Sequence, residues 1–169
     1  MDNWAILATG ESMSADVANN TRHYEKVIAV SDAFRLAPWA FALVAQDRAW
    51  WKTHQDAFEF AGRKFSACEI EDVERIRSMD GGFLNSSMNS GLLACHVAQF
   101  FGAKRIDLYG FDLQGSHYFG SHPAPLKNTS HQRYQIMIQQ FENWNHKGIE
   151  VYNMSPNSAL KCFKEPCNA

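Results

Sequence analysis

The sequence predicts an α/β fold, with a mostly parallel sheet of about six strands and helices on both faces. Short apolar runs rich in β-branched residues alternate with helix-like stretches along all 169 residues. Hydrophobic residues make up 46% and charged residues 20%, the balance of a folded rather than a disordered chain. The length suits one domain, 1–169, and no internal repeat, linker or low-complexity segment divides it.

Trp4-Ala5-Ile6-Leu7-Ala8 reads as a buried first strand, ended by Thr9-Gly10. Ser12 or Ser14 is placed to cap a short helix over Ala15 to Asn19. Lys26 to Val30 is the second strand, Phe41 to Ala45 the third and Lys64 to Ala67 a fourth, with Pro38 in an irregular turn. Asp47 begins a helix that holds Trp50, Trp51 and His54; the two tryptophans read as packing rather than as a stacking platform. Between Glu69 and Asn89 the pattern is weak, with a turn at Asp80-Gly81-Gly82 and a loop at Asn85-Ser86-Ser87.

The second half is more regular. Asn89-Ser90-Gly91 opens a helix running to Phe101, with Leu93, Val97 and Phe100 or Phe101 on one face and Ser90 as a candidate N-cap. Arg105 to Tyr109 is a fifth strand, a second amphipathic helix covers about His131 to His146, and Ile149 to Tyr152 is the last strand. The segment between the fifth strand and that helix, 113–130, is long for a connection and reads as a lid-like loop.

Lys plus Arg is 16 and Asp plus Glu is 18, a formal charge of -2 that argues against nucleic acid as the partner. The most apolar window, Ala37 to Trp51, is cut by Pro38, Gln46, Asp47 and Arg48, so no membrane partner is expected. The acidic Asp2 and the lack of a basic leader predict no secretory signal. Cys68, Cys95, Cys162 and Cys167 form no C-x-x-C pair and read as reduced thiols of a cytoplasmic protein. Cys162 and Cys167 with a histidine around zinc is the weaker alternative.

In an open parallel sheet, ligands bind outside the carboxyl ends of the strands, so the residues following each strand are the candidate site. These are Thr9, Gly10, Glu11 and Ser12 after the first strand, Ser31 and Asp32 after the second, and Gln46 and Asp47 after the third. Gly110, Phe111, Asp112 and His117 follow the fifth, and Asn153 and Ser155 the last. The turn at Gly10 either presents backbone N–H groups to an anion or is a plain tight turn. It is neither a G-x-G-x-x-G nor a Walker A sequence, so no nicotinamide or flavin is expected and the cofactor stays unknown. Asn89, Ser90 and Gly91 put a helix start beside a ligand, a role compatible with capping.

The densest chemical cluster is Gly115 to Pro123. His117 and His122 can move protons near neutral pH, and Tyr118 can donate to a departing phosphate or stack on a base. His131 begins the next helix close enough in sequence to join them, but the irregular spacing of these histidines defines no metal site.

Taken in order, these motifs resemble a known group. Ala8-Thr9-Gly10-Glu11-Ser12-Met13 is similar to the first glycine turn of bacterial sialyltransferases that use CMP-sialic acid, and of the 6-hydroxymethylpterin diphosphokinase-like family. The likeness continues through Ser90-Gly91, Gly102, Ile106 to Tyr109 and Gly110-Phe111-Asp112, and ends at Asn153-Met154-Ser155-Pro156-Asn157-Ser158. The chain also resembles short phage-encoded proteins with a Gly-Phe/Tyr-Asp and His-Pro pattern. The resemblance implies a Rossmann-like, nucleotide-binding domain acting as a glycosyltransferase-like transferase on a CMP-sugar type of donor. A non-catalytic binder that sequesters a nucleotide-derived ligand and a pyrophosphokinase-like enzyme are the alternatives. It implies phosphate and ribose near Gly10 to Ser12 and Ser90-Gly91, and the base near Asn153 to Ser158. Tyr118 corresponds to a tyrosine that assists the departing phosphate, and His122 or His131 to the base. Glu11 stands where that family's first motif has proline. The expected partner is a nucleotide or nucleotide-sugar, with a second copy of the chain also allowed, in the host cytoplasm if the gene is a phage's.

Overall fold

The computed structural model describes residues 2–85 and 87–167; Ser86, within the expected loop at 85–87, lies outside the described residues. Strands β1 (Asn3–Leu7), β2 (Lys26–Val30), β3 (Ala42–Val44), β4 (Arg63–Ser66), β5 (Glu74–Arg75), β6 (Arg105–Tyr109) and β7 (Glu150–Asn153) form one sheet in the order β5-β4-β3-β2-β1-β6-β7. Every pairing is parallel. The fold is α/β and Rossmann-like, as expected, with seven strands rather than six. The added strand, β5, is two residues long, too short to show any period; its Arg63–Glu74 ion pair to β4 holds the edge.

The central strands β1, β2 and β3 are apolar on both sides because both faces are covered. Trp4 and Ile6 of β1 and Ile28 and Val30 of β2 point to one face, where α3 (Ser90–Phe100) brings Leu93 and Val97 and α4 (His131–Glu142) brings Phe141. Ala5, Leu7, Val27 and Ala29 point to the other, under α1 (Ala15–Asn20), α2 (Arg48–Thr53) and two short 3-10 turns at Ser31–Arg35 and Gln55–Glu59. The period of two in side-chain direction thus divides the core between two helical layers.

The helix ends refine the expectations. Ser14 caps α1, its hydroxyl accepting from Val17 N. The cap of α3 is Asn89, whose Oδ1 accepts from Leu92 N at 2.9 Å; Ser90 instead accepts from Gln46 N at 3.0 Å, pinning the helix start to the end of β3. Helix α4 stops at Glu142, short of His146, because the chain turns there to bury Trp144 against Phe163 and Gln99. Asp47 occupies the N-cap position of α2 but gives that helix no side-chain hydrogen bond.

From β1 the chain steps outward to β5, then returns across β1 to add β6 and β7. The direction of winding therefore reverses between β1 and β6, where loops diverge and leave a crevice beyond the strand ends. None of the described helices is long and apolar enough to cross a membrane.

Candidate functional site

The crevice at this switch point opens into a cleft of about 600 Å³. Thr9 and Gly10 from β1, Ser31 from the end of β2, and Gln46 and Asp47 from the end of β3 form its floor with Gly110 and Phe111. Asn89, Ser90 and Gly91 enter from the start of α3, and His117 and His122 from the lid. Six separate parts of the expected site are thereby brought to one rim.

The other expected residues tie the rim together instead of lining the cleft. Asp112 accepts from Ser12 N at 2.8 Å and from the Ser12 hydroxyl at 2.5 Å. Gly10 N donates to Gly110 O at 2.9 Å, and Met13 N donates to Gly10 O at 3.0 Å. The N–H groups of Gly10, Ser12 and Met13 are therefore spent on the protein, and the turn acts as a clasp that closes the rim. Glu11 faces the lid: its Oε1 accepts from Ser116 N at 3.0 Å and from the Ser116 hydroxyl at 2.7 Å. Those bonds hold its carboxyl below the usual range and keep its charge from a ligand phosphate.

Gly10 leaves no room for a side chain. A Cβ there would lie 2.5 Å from Asp112 Oδ2 and 2.6 Å from Gly110 O, and the backbone oxygen cannot swing away. Gly10→Ala is expected to cost about 1–3 kcal/mol in urea unfolding by overpacking the clasp, and to weaken any ligand of the cleft with it.

The lid is a loop over its whole length, anchored by Tyr118 N donating to Thr9 O at 2.9 Å. His117 shares a 2.9 Å hydrogen bond between Nδ1 and the Thr9 hydroxyl, and stacks on Phe119. Its ring lies 4.5 Å, centroid to centroid, from that of His122. His117 Nε2 and His122 Nδ1 are buried without a hydrogen-bond partner, in residues that line the cleft. Burial holds both imidazoles below the ordinary value of 6.5, with His122 adding to the depression at His117. Both are thus neutral at pH 7 and ready to accept a proton.

A depressed histidine makes the folded state bind protons later than the unfolded chain. The stability linked to these groups is therefore full above pH 6.5 and falls as pH drops below it into the mildly acid range. Urea midpoints across that range are expected to decline with acid, and less steeply in His122→Gln. His96, lowered by burial, contributes part of the remaining slope.

Beside the cleft, Asp32 is buried under a network of its own. Its Oδ1 lies 3.0 Å from His54 Nε2, its Oδ2 accepts from Trp50 Nε1 at 2.9 Å, and its backbone oxygen accepts from the Tyr118 hydroxyl at 2.7 Å. Burial pushes the Tyr118 hydroxyl up to about 12. Tyr118 thus fastens the lid to the Ser31–Arg35 turn and does not line the cleft; nor does His131, exposed at the first position of α4. Asn153 and Ser155 are buried and engaged: Asn153 Nδ2 donates to Leu160 O, its Oδ1 accepts from Ser155 N, and the Ser155 hydroxyl accepts from Phe111 N. His54, placed by the sequence only as a member of the Asp47 helix, is the carboxylate's buried partner.

Sequence reasoning did not single out the cations. Lys127 of the lid and Arg133 of α4 line the cleft, and neither has a carboxylate partner among the described residues. Tyr134, one position further, is the tyrosine that lines the cleft. For Arg133 and Tyr134 the usable signal was their place in the first turn of the helix that follows the long loop. The N–H groups of Ser90 and Gly91 have no acceptor among the described residues, so a real helix start is open to a ligand. Among the described residues four non-glycine residues have left-handed backbone, and two of them, Ser31 (φ 48°) and Leu113 (φ 51°), line the cleft, as strained residues at ligand sites often do.

Among the described residues, no three His, Cys, Asp or Glu side chains converge to hold a metal ion. The fold and site define a parallel α/β protein with a polar, cation-bearing cleft at the switch point of its sheet. The chain matches no protein-family model, no curated protein and no solved structure.

Proposed function

We propose that the cleft binds a nucleotide or nucleotide-sugar and that the protein transfers a group from this donor to a hydroxyl acceptor. One observation carries the reading: the open N–H groups of α3, two cations free of carboxylates and two neutral imidazoles all belong to one cleft at the switch point. Gln140 of α4 binds Asn89 at the start of α3, and Arg133 lies seven residues away along α4, roughly 10 Å. Anion contacts spread over that distance suit a diphosphate or a sugar-bearing phosphate better than a lone phosphate.

In the transfer, His122 takes the proton of the acceptor hydroxyl. The hydroxyl oxygen bonds to the donor's sugar carbon as the carbon–oxygen bond to phosphate breaks. The electron pair leaves on the phosphate, whose charge meets Lys127, Arg133 and the start of α3. The resemblance to nucleotide-sugar transferases supports the same class, with Tyr134 rather than Tyr118 beside the leaving group.

A second reading, capture of a nucleotide-derived ligand without reaction, is favoured by one feature. Among the described residues no carboxylate orients either cleft imidazole, since the Asp32 carboxylate serves His54 and Trp50. A thermal-shift panel of CMP, UDP, GDP, ATP, ADP-ribose and sugar nucleotides, followed by mass spectrometry of the positive mixtures, tests both. A ligand at a hundredfold excess over its dissociation constant stabilises by about 2.7 kcal/mol. Product that disappears in His122→Ala, with binding kept, supports transfer; binding without product supports capture; no shift with any compound contradicts both.

A further inference from the structure

Resting on the nucleotide reading, we infer that the β3 end of the cleft is a nucleobase subsite in which Gln46 reads the edge of the base. Gln46 is only 7% exposed, and its backbone is held on both sides, N donating to the Ser90 hydroxyl and O accepting from the Ser66 hydroxyl. Its side-chain amide has no partner among the described residues, although the residue lines the cleft. The residue is buried but its amide reaches the cleft, unbonded to any described residue, so it presents one donor group and one acceptor to a matching edge. A nucleobase presents such adjacent donors and acceptors; a phosphate presents acceptors alone.

The surroundings suit a flat ring. Trp50 lines the same end and is fixed by its bond to Asp32 and by stacking on His54, with ring centroids 4.3 Å apart. Val30 and Ala49 add apolar surface. A rigid apolar wall with one free amide is the general form of a base pocket.

Charge sets the direction in which a nucleotide lies. Asp47, next to Gln46, is exposed and does not cap its helix, so its carboxylate repels phosphate from this end. Lys127 and Arg133 attract phosphate toward the lid and α4. The groups that the resemblance put near the base, Asn153 and Ser155, have their polar atoms taken up inside the protein. The base therefore lies over β3, not over β7.

Calorimetric titration of the wild-type protein and Gln46→Leu with CMP, UMP, AMP, GMP and ribose 5-phosphate tests this. At least one nucleotide is expected to bind wild type about tenfold more tightly than ribose 5-phosphate, and Gln46→Leu to erase that margin while ribose 5-phosphate binding stays put. Equal binding of ribose 5-phosphate, or a margin untouched by the substitution, overturns the subsite and leaves the nucleotide reading standing. If none of the four monophosphates binds, the subsite falls, and the wider panel above decides separately whether the nucleotide reading falls with it. Should Gln46→Leu fail to fold, the Gln46 side-chain NH2 resonances of the wild-type protein give the answer. They are expected to move with the nucleotide and not with ribose 5-phosphate, and unmoved resonances overturn the assignment.

Discussion

Arg133→Glu is expected to weaken nucleotide binding about 100-fold while leaving the fold as stable as before. Arg133 is exposed, forms no ion pair among the described residues, and lines the cleft from the first turn of α4. A hydrogen bond from a guanidinium to phosphate contributes about 1.5–3 kcal/mol, and reversing the charge adds repulsion to that loss. An exposed helical site changes stability by no more than about 0.5 kcal/mol. Calorimetry and urea unfolding of the same preparation separate the two effects. A large loss of stability, or affinity within a factor of three of wild type, contradicts the role given to this residue. Raising the salt concentration is expected to weaken the wild type more than Arg133→Ala, because one screened contact is then already gone.

The largest expected effect on stability comes from Asp32→Ala, about 3–5 kcal/mol. Asp32 and His54 are both nearly sealed from solvent, and the carboxylate is the partner of both His54 Nε2 and Trp50 Nε1. Removing it leaves two buried polar groups unpaired and opens a small void beneath Trp50. The loss reaches the cleft as well, since Trp50 and Ser31 both line it and the Tyr118 hydroxyl holds the backbone of this same turn. Urea unfolding monitored by tryptophan fluorescence measures the change. A cost below about 1 kcal/mol contradicts the account of this network.

The legible parts of the fold are those where burial is complete. β1 and β2 are buried on both faces and so read as continuous apolar runs between polar turns, whereas β6 is legible by the alternation of Ile106 and Leu108 with Arg105, Asp107 and Tyr109. β5 is two residues long at the sheet edge and carries Glu74 and Arg75, leaving no apolar pattern to read. The end of α4 was misleading because Trp144 continues the helical spacing of Tyr134, Ile138 and Phe141, although the chain has already turned. At the start of α3, Asn89 and Ser90 are adjacent and chemically alike; only the geometry separates the cap from the bond to Gln46.

The site was legible by topology and less so by side chain. Knowing that strands end together places Thr9, Ser31, Gln46 and Gly110 on one rim. Which neighbour points inward depends on turn geometry that no spacing rule carries. Tyr118 and His117 are adjacent, yet one grips the Asp32 backbone and the other lines the cleft. Glu11, awkward beside a phosphate, is accounted for once it is seen to hold Ser116. Lys127 and Arg133 drew no reading from the sequence, because nothing in a sequence marks a charge as lacking a partner.

The most direct test of the central claim is a titration of isotopically labelled protein, followed by backbone amide resonances, with the tightest nucleotide from the panel. The account predicts that the largest shifts gather at Thr9, Ser31, Gln46, Gly91, His122 and Arg133, from six separate parts of the chain around one cleft. Shifts confined to another surface, such as the arginine-flanked turn from Arg75 to Phe83, or none at saturating nucleotide, would contradict it.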